Sequence, residues 1–150
     1  MRFLYHCRSG RLIIEEDVVP GNHYLYANTL VKVAYISENR YEDRTETAYY
    51  LEYPHEGDAG HYKCDATHFL ANAIPLIEEA GDFYINKSLD INRVYLLDGS
   101  PHLLVTGVDK DKGIIFYRLL EENVYTMPIR AFYNNTRITP VKEKVIFNSN

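Results

Sequence analysis

The sequence lacks tryptophan, contains only two cysteines and has no apolar run near the roughly 20 residues that span a bilayer. Its first residues also lack the apolar core of a secretion signal, because Arg8 and Arg11 interrupt them. We therefore expect the protein to stay in the cytoplasm and to have no membrane partner. In that reducing compartment Cys7 and Cys64 are expected to be free thiols.

The high tyrosine content is the most unusual feature of the composition, since the chain has 14 Tyr and 6 Phe. Hydrophobic residues make up 46% and charged residues 25%, which is typical of a globular domain. Tyrosine favours half-buried pleated surfaces, so the composition indicates β structure. Residues 1–88 hold 8 basic and 14 acidic side chains, whereas residues 89–150 hold 8 and 7. The first half thus has no surplus of positive charge for binding phosphates.

The second half contains five short β-prone runs, with one helical turn before the last. The runs are Arg93–Leu97, His102–Val108, Ile114–Leu120, Val124–Met127 and Arg137–Thr139. Aspartate and glycine between the first three runs favour tight reversals. Pro128 is suited to open the helical turn, because proline is tolerated at a helix start. This pattern predicts a five-stranded meander.

Five short strands with a helical turn before the fifth resemble the SH3-like barrel, which Tudor, KOW and SH3 modules share. The motifs Phe116-Tyr-Arg118, Tyr125, Met127-Pro-Ile129 and Phe132 are similar to those of small bacterial and phage SH3-like proteins of unknown role. Their pattern reads Val-x-Tyr-Arg, an aromatic residue, Arg-Pro-Leu and Phe. The chain departs from it at Met127, where the pattern prefers Arg. The resemblance implies the fold and says little about activity.

The first half repeats this plan with longer loops. Leu30–Glu38 corresponds to His102–Lys110, and Thr47–Tyr53 corresponds to Ile114–Leu120. Tyr62 precedes Phe69 by seven residues, as Tyr125 precedes Phe132. The alternative is that any two β segments rich in Tyr, Val and Ile align loosely. We favour the repeat, which predicts a mainly β protein of two tandem SH3-like (Tudor-like) barrels.

The repeat divides the chain at two points. Residues 1–81 are expected to form an N-terminal hairpin, Phe3 to Val19, and the first barrel, ending in a short helix at Leu76 to Gly81. Residues 82–91 are then the connection. Residues 92–150 form the second barrel and a loose tail from Val141.

Catalytic motifs are missing from the sequence. It has no Gly-x-Ser-x-Gly elbow, no phosphate-binding loop and no His-Glu-x-x-His helix. His61, Cys64 and His68 have spacings that zinc permits, and Cys64 with either histidine is the one thiol and base pair. The counterparts of these residues in the second half cannot bind zinc, and a buried cysteine beside surface histidines is the more ordinary arrangement. We therefore predict no enzyme and no cofactor, with a zinc site as the third hypothesis.

Exposed rings are the more promising feature, because SH3-like barrels bind extended peptides or methylated cations with them. The candidates in the two halves are Tyr35, Tyr49, Tyr50, Tyr53, Tyr95, Phe116, Tyr117 and Tyr125, to which Tyr133 is added. Neighbouring rings on a strand face opposite sides, and the sequence does not say which side is the core. The leading hypothesis is a binding or adaptor protein whose rings, flanked by acids such as Glu46, Glu52 and Glu121, hold a basic or methylated peptide of a protein partner.

The alternative is a nucleic-acid-binding regulator of host transcription, possible for a phage-encoded protein because Tudor-like and KOW-like barrels occur in such proteins. Its phosphate contacts would come from the second half, through Lys110, Lys112, Arg118 and Arg137. The oligomeric state is left open.

Overall fold

The protein is mainly β, as its sequence predicts. A computed structural model describes residues 4–6, 11–14 and 18–147. The elements are β1 (Leu4–His6), β2 (Arg11–Ile14), β3 (His23–Tyr26), β4 (Thr29–Arg40), β5 (Thr45–Tyr53), β6 (Asp58–Asp65), α1 (Ala66–Asn72), β7 (Ile74–Glu79), β8 (Asp82–Ile85), β9 (Leu89–Asp90), β10 (Val94–Leu97), β11 (Ser100–Asp109), β12 (Ile114–Arg118), β13 (Val124–Pro128), α2 (Ile129–Asn134), β14 (Ile138–Pro140) and β15 (Lys144–Val145). None of the helices in these ranges is long and apolar enough to cross a membrane.

Two sets of five strands share one topology. In the first strand set, β3 to β7, the order is β7-β3-β4-β5-β6, and in the second, β10 to β14, it is β14-β10-β11-β12-β13. A short helix precedes the last strand of each set, which returns to pair with the first strand. Each set encloses its own apolar cluster. Among the described residues no ladder joins β6 to β7 or β13 to β14, so both sheets are open.

The same pair of rings lies in both cores. Tyr24 meets Phe69 edge-on at 5.1 Å between centroids, and Tyr95 meets Phe132 edge-on at 5.0 Å. Each tyrosine comes from the first strand of its set and each phenylalanine from the helix. Edge-on pairs are the favoured geometry of aromatic rings, so each contact fixes the helix against the sheet.

The residue pairing between strands agrees with the predicted repeat for β4 and β11 but shifts the predicted alignment of β5 with β12. A β-bulge interrupts the ladder after Val33 in the first set and after Val105 in the second. Val33 then pairs with Leu51, whereas Val105 pairs with Tyr117. The counterpart of Leu51 is therefore Tyr117, not Arg118. The predicted alignment of Thr47–Tyr53 with Ile114–Leu120 is wrong by one residue.

The predicted helix at Leu76 to Gly81 is instead the end of β7 and a hairpin turn. Ala80 and Gly81 both have positive φ, 51° and 83°, which is the geometry of a two-residue hairpin. Leu76 and Phe83 pack with Leu30 in a third apolar cluster. Helix-favouring residues thus form a strand here, because pairing and burial outweigh weak local propensity.

The predicted connection and tail are also more ordered than expected. Residues 82–91 contain β8 and β9, and β15 of the tail pairs with β8. Val145 and Phe147 pack against the third apolar cluster. Residues 144–147 therefore pack beside the first strand set.

The predicted N-terminal hairpin is present as the antiparallel pair of β1 and β2. Ile13 and Val18 belong to the first core, so this hairpin packs against the first strand set. Cys7 and the acidic run Glu15 to Asp17 lie outside the described residues.

Asp90 joins the parts of the chain that flank the two sets. Its carboxylate accepts hydrogen bonds from Arg11 Nε at 3.0 Å and from an Arg93 amino group at 2.6 Å. Glu143 of the tail lies 3.7 Å from Arg11 and 3.6 Å from Arg93. The backbone amide of Asp90 donates to the Tyr95 hydroxyl, 2.7 Å away. The N-terminal hairpin, β9, the second core and the tail are therefore connected through Asp90 and its two arginine partners.

Candidate functional site

Two of the predicted ligand-binding rings lie in the cores. Tyr49 is 1% exposed and contacts Phe69, while Tyr95 is 0% exposed. The Tyr95 hydroxyl donates to the Ser88 carbonyl at 2.6 Å, and burial raises the pKa of this phenol. The prediction that they contact a ligand is therefore wrong for both residues.

Tyr35 and Tyr50 form a stacked pair on the opposite side of the first sheet. They are register partners on β4 and β5, with centroids 4.4 Å apart and planes 13° from parallel. The His61 ring on β6 meets Tyr35 edge-on at 5.5 Å, and His61 Nε2 lies 3.0 Å from a Glu52 carboxylate oxygen. Tyr35 remains 44% exposed. We call these four residues the outer tyrosine face.

A β-bulge explains why Tyr35 faces outwards. Strict alternation would put Tyr35 on the same side as Val33, which is fully buried. The ladder skips one residue between the two, so the alternation is reversed beyond it. Tyr50 faces outwards by ordinary strand alternation, because its neighbours Tyr49 and Leu51 are both buried.

The second strand set has no equivalent pair. Gly107 occupies the position of Tyr35 after the matching bulge, and its register partner is Phe116. A Cβ atom added to Gly107 would lie 3.7 Å from the Phe116 ring, so that ring covers the space above the glycine. Predicted Phe116 is therefore only partly exposed and has no stacking partner in this set.

A smaller group of rings lies at the end of the second set. Tyr117 and Tyr125 are register partners on β12 and β13, with centroids 5.8 Å apart. The Tyr125 hydroxyl donates to the carboxylate of Glu121, one of the acids named above, at 3.3 Å. Tyr125 is 38% exposed, whereas Tyr117 packs partly against the second core. One ring of this pair is accessible.

The other predicted ring and acid lie away from the outer tyrosine face. Tyr53 packs partly against the first core and meets Tyr62 edge-on at 5.3 Å. Glu46 accepts from Arg44 at 3.0 Å near the tip of the β4–β5 hairpin. Of the three predicted flanking acids, Glu52 belongs to this face and Glu121 to the group in the second set. Tyr133, which contacts Phe132 in the second core, is half-buried.

Strand alternation on β6 separates two of the three zinc candidates, His61 and Cys64. His61 belongs to the outer tyrosine face, whereas Cys64 packs against the first core. In the part of the chain that the structure describes, no three His, Cys, Asp or Glu side chains are placed to hold a metal ion. The side chain of the neighbouring Asp58 lies outside the described part.

Cys64 and His68 share the hydroxyl of Tyr26, a residue that sequence reasoning missed. That hydroxyl lies 3.2 Å from Cys64 Sγ and in hydrogen-bonding contact with His68 Nδ1. Asp65 caps α1 by accepting from the His68 backbone amide at 3.3 Å, which places the histidine on the first turn. Burial raises the pKa of the Cys64 thiol, and that of Tyr26 as well. A raised pKa opposes formation of the reactive thiolate.

The basic residues of the nucleic-acid alternative do not form one patch. Lys110 and Lys112 lie in the β11–β12 turn, whereas Arg137 binds Asp98 in the β10–β11 turn with distances of 2.8 and 2.5 Å. The turns are at opposite ends of β11, about 30 Å apart at the usual rise per residue. Arg118 is half-buried between them.

A groove of about 350 Å³ borders Tyr26 and His68 near the β3–β4 turn, and a cavity of about 310 Å³ lies between the two strand sets. Comparison with known proteins adds no family to this description: the chain matches no protein-family model, no curated protein and no solved structure.

Proposed function

We propose that the protein is a non-catalytic binding protein of two tandem SH3-like barrels, and that its outer tyrosine face holds a basic segment of a protein partner. The barrel assignment is supported by the strand order that both sets share and by the helix before each last strand. It is also supported by the matching Tyr24–Phe69 and Tyr95–Phe132 contacts.

The observation that supports the binding site best is the exposed, stacked Tyr35. Its ring stacks on Tyr50 and lies 5.5 Å from the His61 ring at an angle of 74°, yet Tyr35 is 44% exposed and therefore accessible to a ligand. An arginine guanidinium or a methylated ammonium binds an aromatic face of this kind. Glu52 supplies a carboxylate at the same surface.

The charge of the first half agrees with a basic ligand. Residues 1–88 hold 14 acidic against 8 basic side chains. This excess favours approach of a cationic segment and opposes approach of phosphates. A separate observation supports the non-catalytic part of the proposal. Burial raises the pKa of the Cys64 thiol, which opposes formation of the thiolate that a thiol enzyme needs.

Calorimetric titration tests the proposal with an acetylated peptide Gly-Ala-Arg-Ala-Arg-Ala-Gly and its trimethyl-lysine and glutamate versions. Tyr35→Ala should weaken the binding of the basic peptides about twofold to fivefold, because a cation over an exposed ring contributes about 0.5–1 kcal/mol. Tyr41→Ala is the matched control, since Tyr41 is 50% exposed outside this face. Glutamate peptides should not bind. Equal effects of the two substitutions, or no heat with either basic peptide, would refute the assignment.

A further inference from the structure

The cavity between the two strand sets has the character of a small-molecule site. Its walls come from β3 and β7 of the first set, from residues 86–88 of the connection and from the end of α2. Its volume, about 310 Å³, is at the lower end of the range for ligand pockets, roughly 300–1,000 Å³. We propose that this cleft binds a small carboxylate with a compact apolar body, with Ser88 and Lys87 contacting the carboxylate.

Ser88 provides the strongest indication of a ligand. The residue is 1% exposed and borders the cleft, and its hydroxyl has no hydrogen-bond partner among the described residues. Buried hydroxyls are nearly always paired, because an unpaired one loses its hydration without replacement. A ligand oxygen in the cleft would supply the partner.

Lys87 supplies the positive charge. Its ammonium donates to the Asn135 carbonyl at 2.9 Å and to the Tyr133 carbonyl at 3.4 Å. An ammonium has three protons, so one remains besides these two carbonyl contacts, and the ammonium also lies 4.9 Å from the centroid of the Phe132 ring. Burial lowers the pKa of this amine to about 8, which still leaves it mainly charged at neutral pH.

The remaining walls select for an anion with an apolar body. No carboxylate side chain lines the cleft among the described residues, and burial lowers the pKa of His23 in its wall, which favours the neutral ring. Pro75 and Leu76 form an apolar side, and the Asn86 amide offers a further polar contact. The cleft therefore has one positive charge, several neutral polar groups and an apolar wall.

Such a ligand would contact both strand sets at once. Its binding would be independent of the outer tyrosine face, which lies on the other side of β4 and β5 from the first core. The two assignments can therefore fail separately.

Phenylacetate is a suitable probe, with phenylacetamide and phenethylamine as its neutral and cationic analogues. Titration calorimetry should detect phenylacetate binding at least about tenfold tighter than either analogue, because a charge-assisted hydrogen bond is roughly twice as strong as a neutral one and the cation is repelled. Ser88→Ala should weaken phenylacetate about fivefold through loss of one hydrogen bond. The same substitution should leave the fold intact, which circular dichroism checks.

Steric blocking gives a second, independent readout. Asn134 is exposed at the rim of the cleft, so Asn134→Trp should abolish phenylacetate binding, whereas Asn123→Trp in the exposed β12–β13 loop should not. Phenylacetate affinity unchanged in both Ser88→Ala and Asn134→Trp would overturn the site. Equal binding of phenylacetamide would overturn the carboxylate class, and no heat from any of the three probes would overturn the proposal as a whole.

Discussion

Replacing Asp90 by Asn should destabilise the protein more than any exposed charge substitution. The Asp90 side chain is 11% exposed and holds two guanidinium groups whose side chains are only 13% and 16% exposed. Asn preserves the shape but removes the charge, so Arg11 and Arg93 would face each other without their common anion. Breaking a buried ion pair from one side costs about 3–5 kcal/mol. Glu143 lies 3.6–3.7 Å from both arginines and would compensate in part, which places the expected loss near 3 kcal/mol.

Urea unfolding followed by circular dichroism measures this loss directly. The matched control is Asp98→Asn, which removes an equally close arginine partner at the surface, where Asp98 and Arg137 are 54% and 66% exposed. That substitution should leave the unfolding midpoint almost unchanged, because solvent screens exposed pairs. Glu143→Gln should have an intermediate effect. If Asp90→Asn were as mild as Asp98→Asn, the junction at Asp90 would not stabilise the fold.

Two further predictions concern Lys87 and the β7–β8 turn. The folded-state pKa of Lys87, about 8, is below its ordinary value of 10.5, so between these values the unfolded chain binds more protons and stability should rise with pH. After discounting for partial exposure, we expect the free energy of unfolding to rise by about 1 kcal/mol over this pH range. Lys87→Met should remove this rise, whereas Lys110→Met should not. An unchanged pH profile in Lys87→Met would contradict the burial of this amine. Gly81→Ala should lower the free energy of unfolding by about 1 kcal/mol, because φ is +83° there, whereas Gly107→Ala, which meets Phe116 at an ordinary contact distance, should change it less. Thermal unfolding of the two variants makes this comparison, and equal midpoints would argue against the hairpin turn.

Local signals in the sequence were sufficient for most strands of the second set. Asp98-Gly99 and Pro128 mark a hairpin turn and a helix start, and both features are present. In the first set β3 was missed, because the turn after it is formed by Ala27 and Asn28, with φ of 51° and 61°. Alanine is an uncommon residue at positive φ, so it gives no turn signal. Tyr24 and Tyr26, which lie on β3, were missed for the same reason.

The side of the sheet on which each ring lies depends on the pairing register of the strands, which no local sequence pattern specifies. The choice between Tyr49 and Tyr50 follows from the pairing of β4 with β5, and the orientation of Tyr35 follows from a bulge in that pairing. The charge cluster at Asp90 unites residues 79 positions apart in sequence, Arg11 and Asp90. Contacts of this range arise from tertiary packing, and the sequence offers no periodicity that would predict them.

The outer tyrosine face also shows how two copies of one topology can differ in function. The core contacts are the same in both sets, since a tyrosine from the first strand meets a phenylalanine from the helix in each. The bulges are at matching positions as well, so both sheets turn the residue after the bulge outwards. That residue is Tyr35 in the first set and Gly107 in the second, and one side chain therefore decides whether an exposed aromatic stack exists. A Cβ atom at position 107 would meet Phe116 only at an ordinary contact distance, so a Gly107→Tyr variant should fold and place a second ring beside Phe116. We expect that variant to gain measurable affinity for the arginine peptide. Failure of that variant to bind, in a protein whose Tyr35 site does bind, would show that Glu52 and His61 are required in addition to the stacked rings.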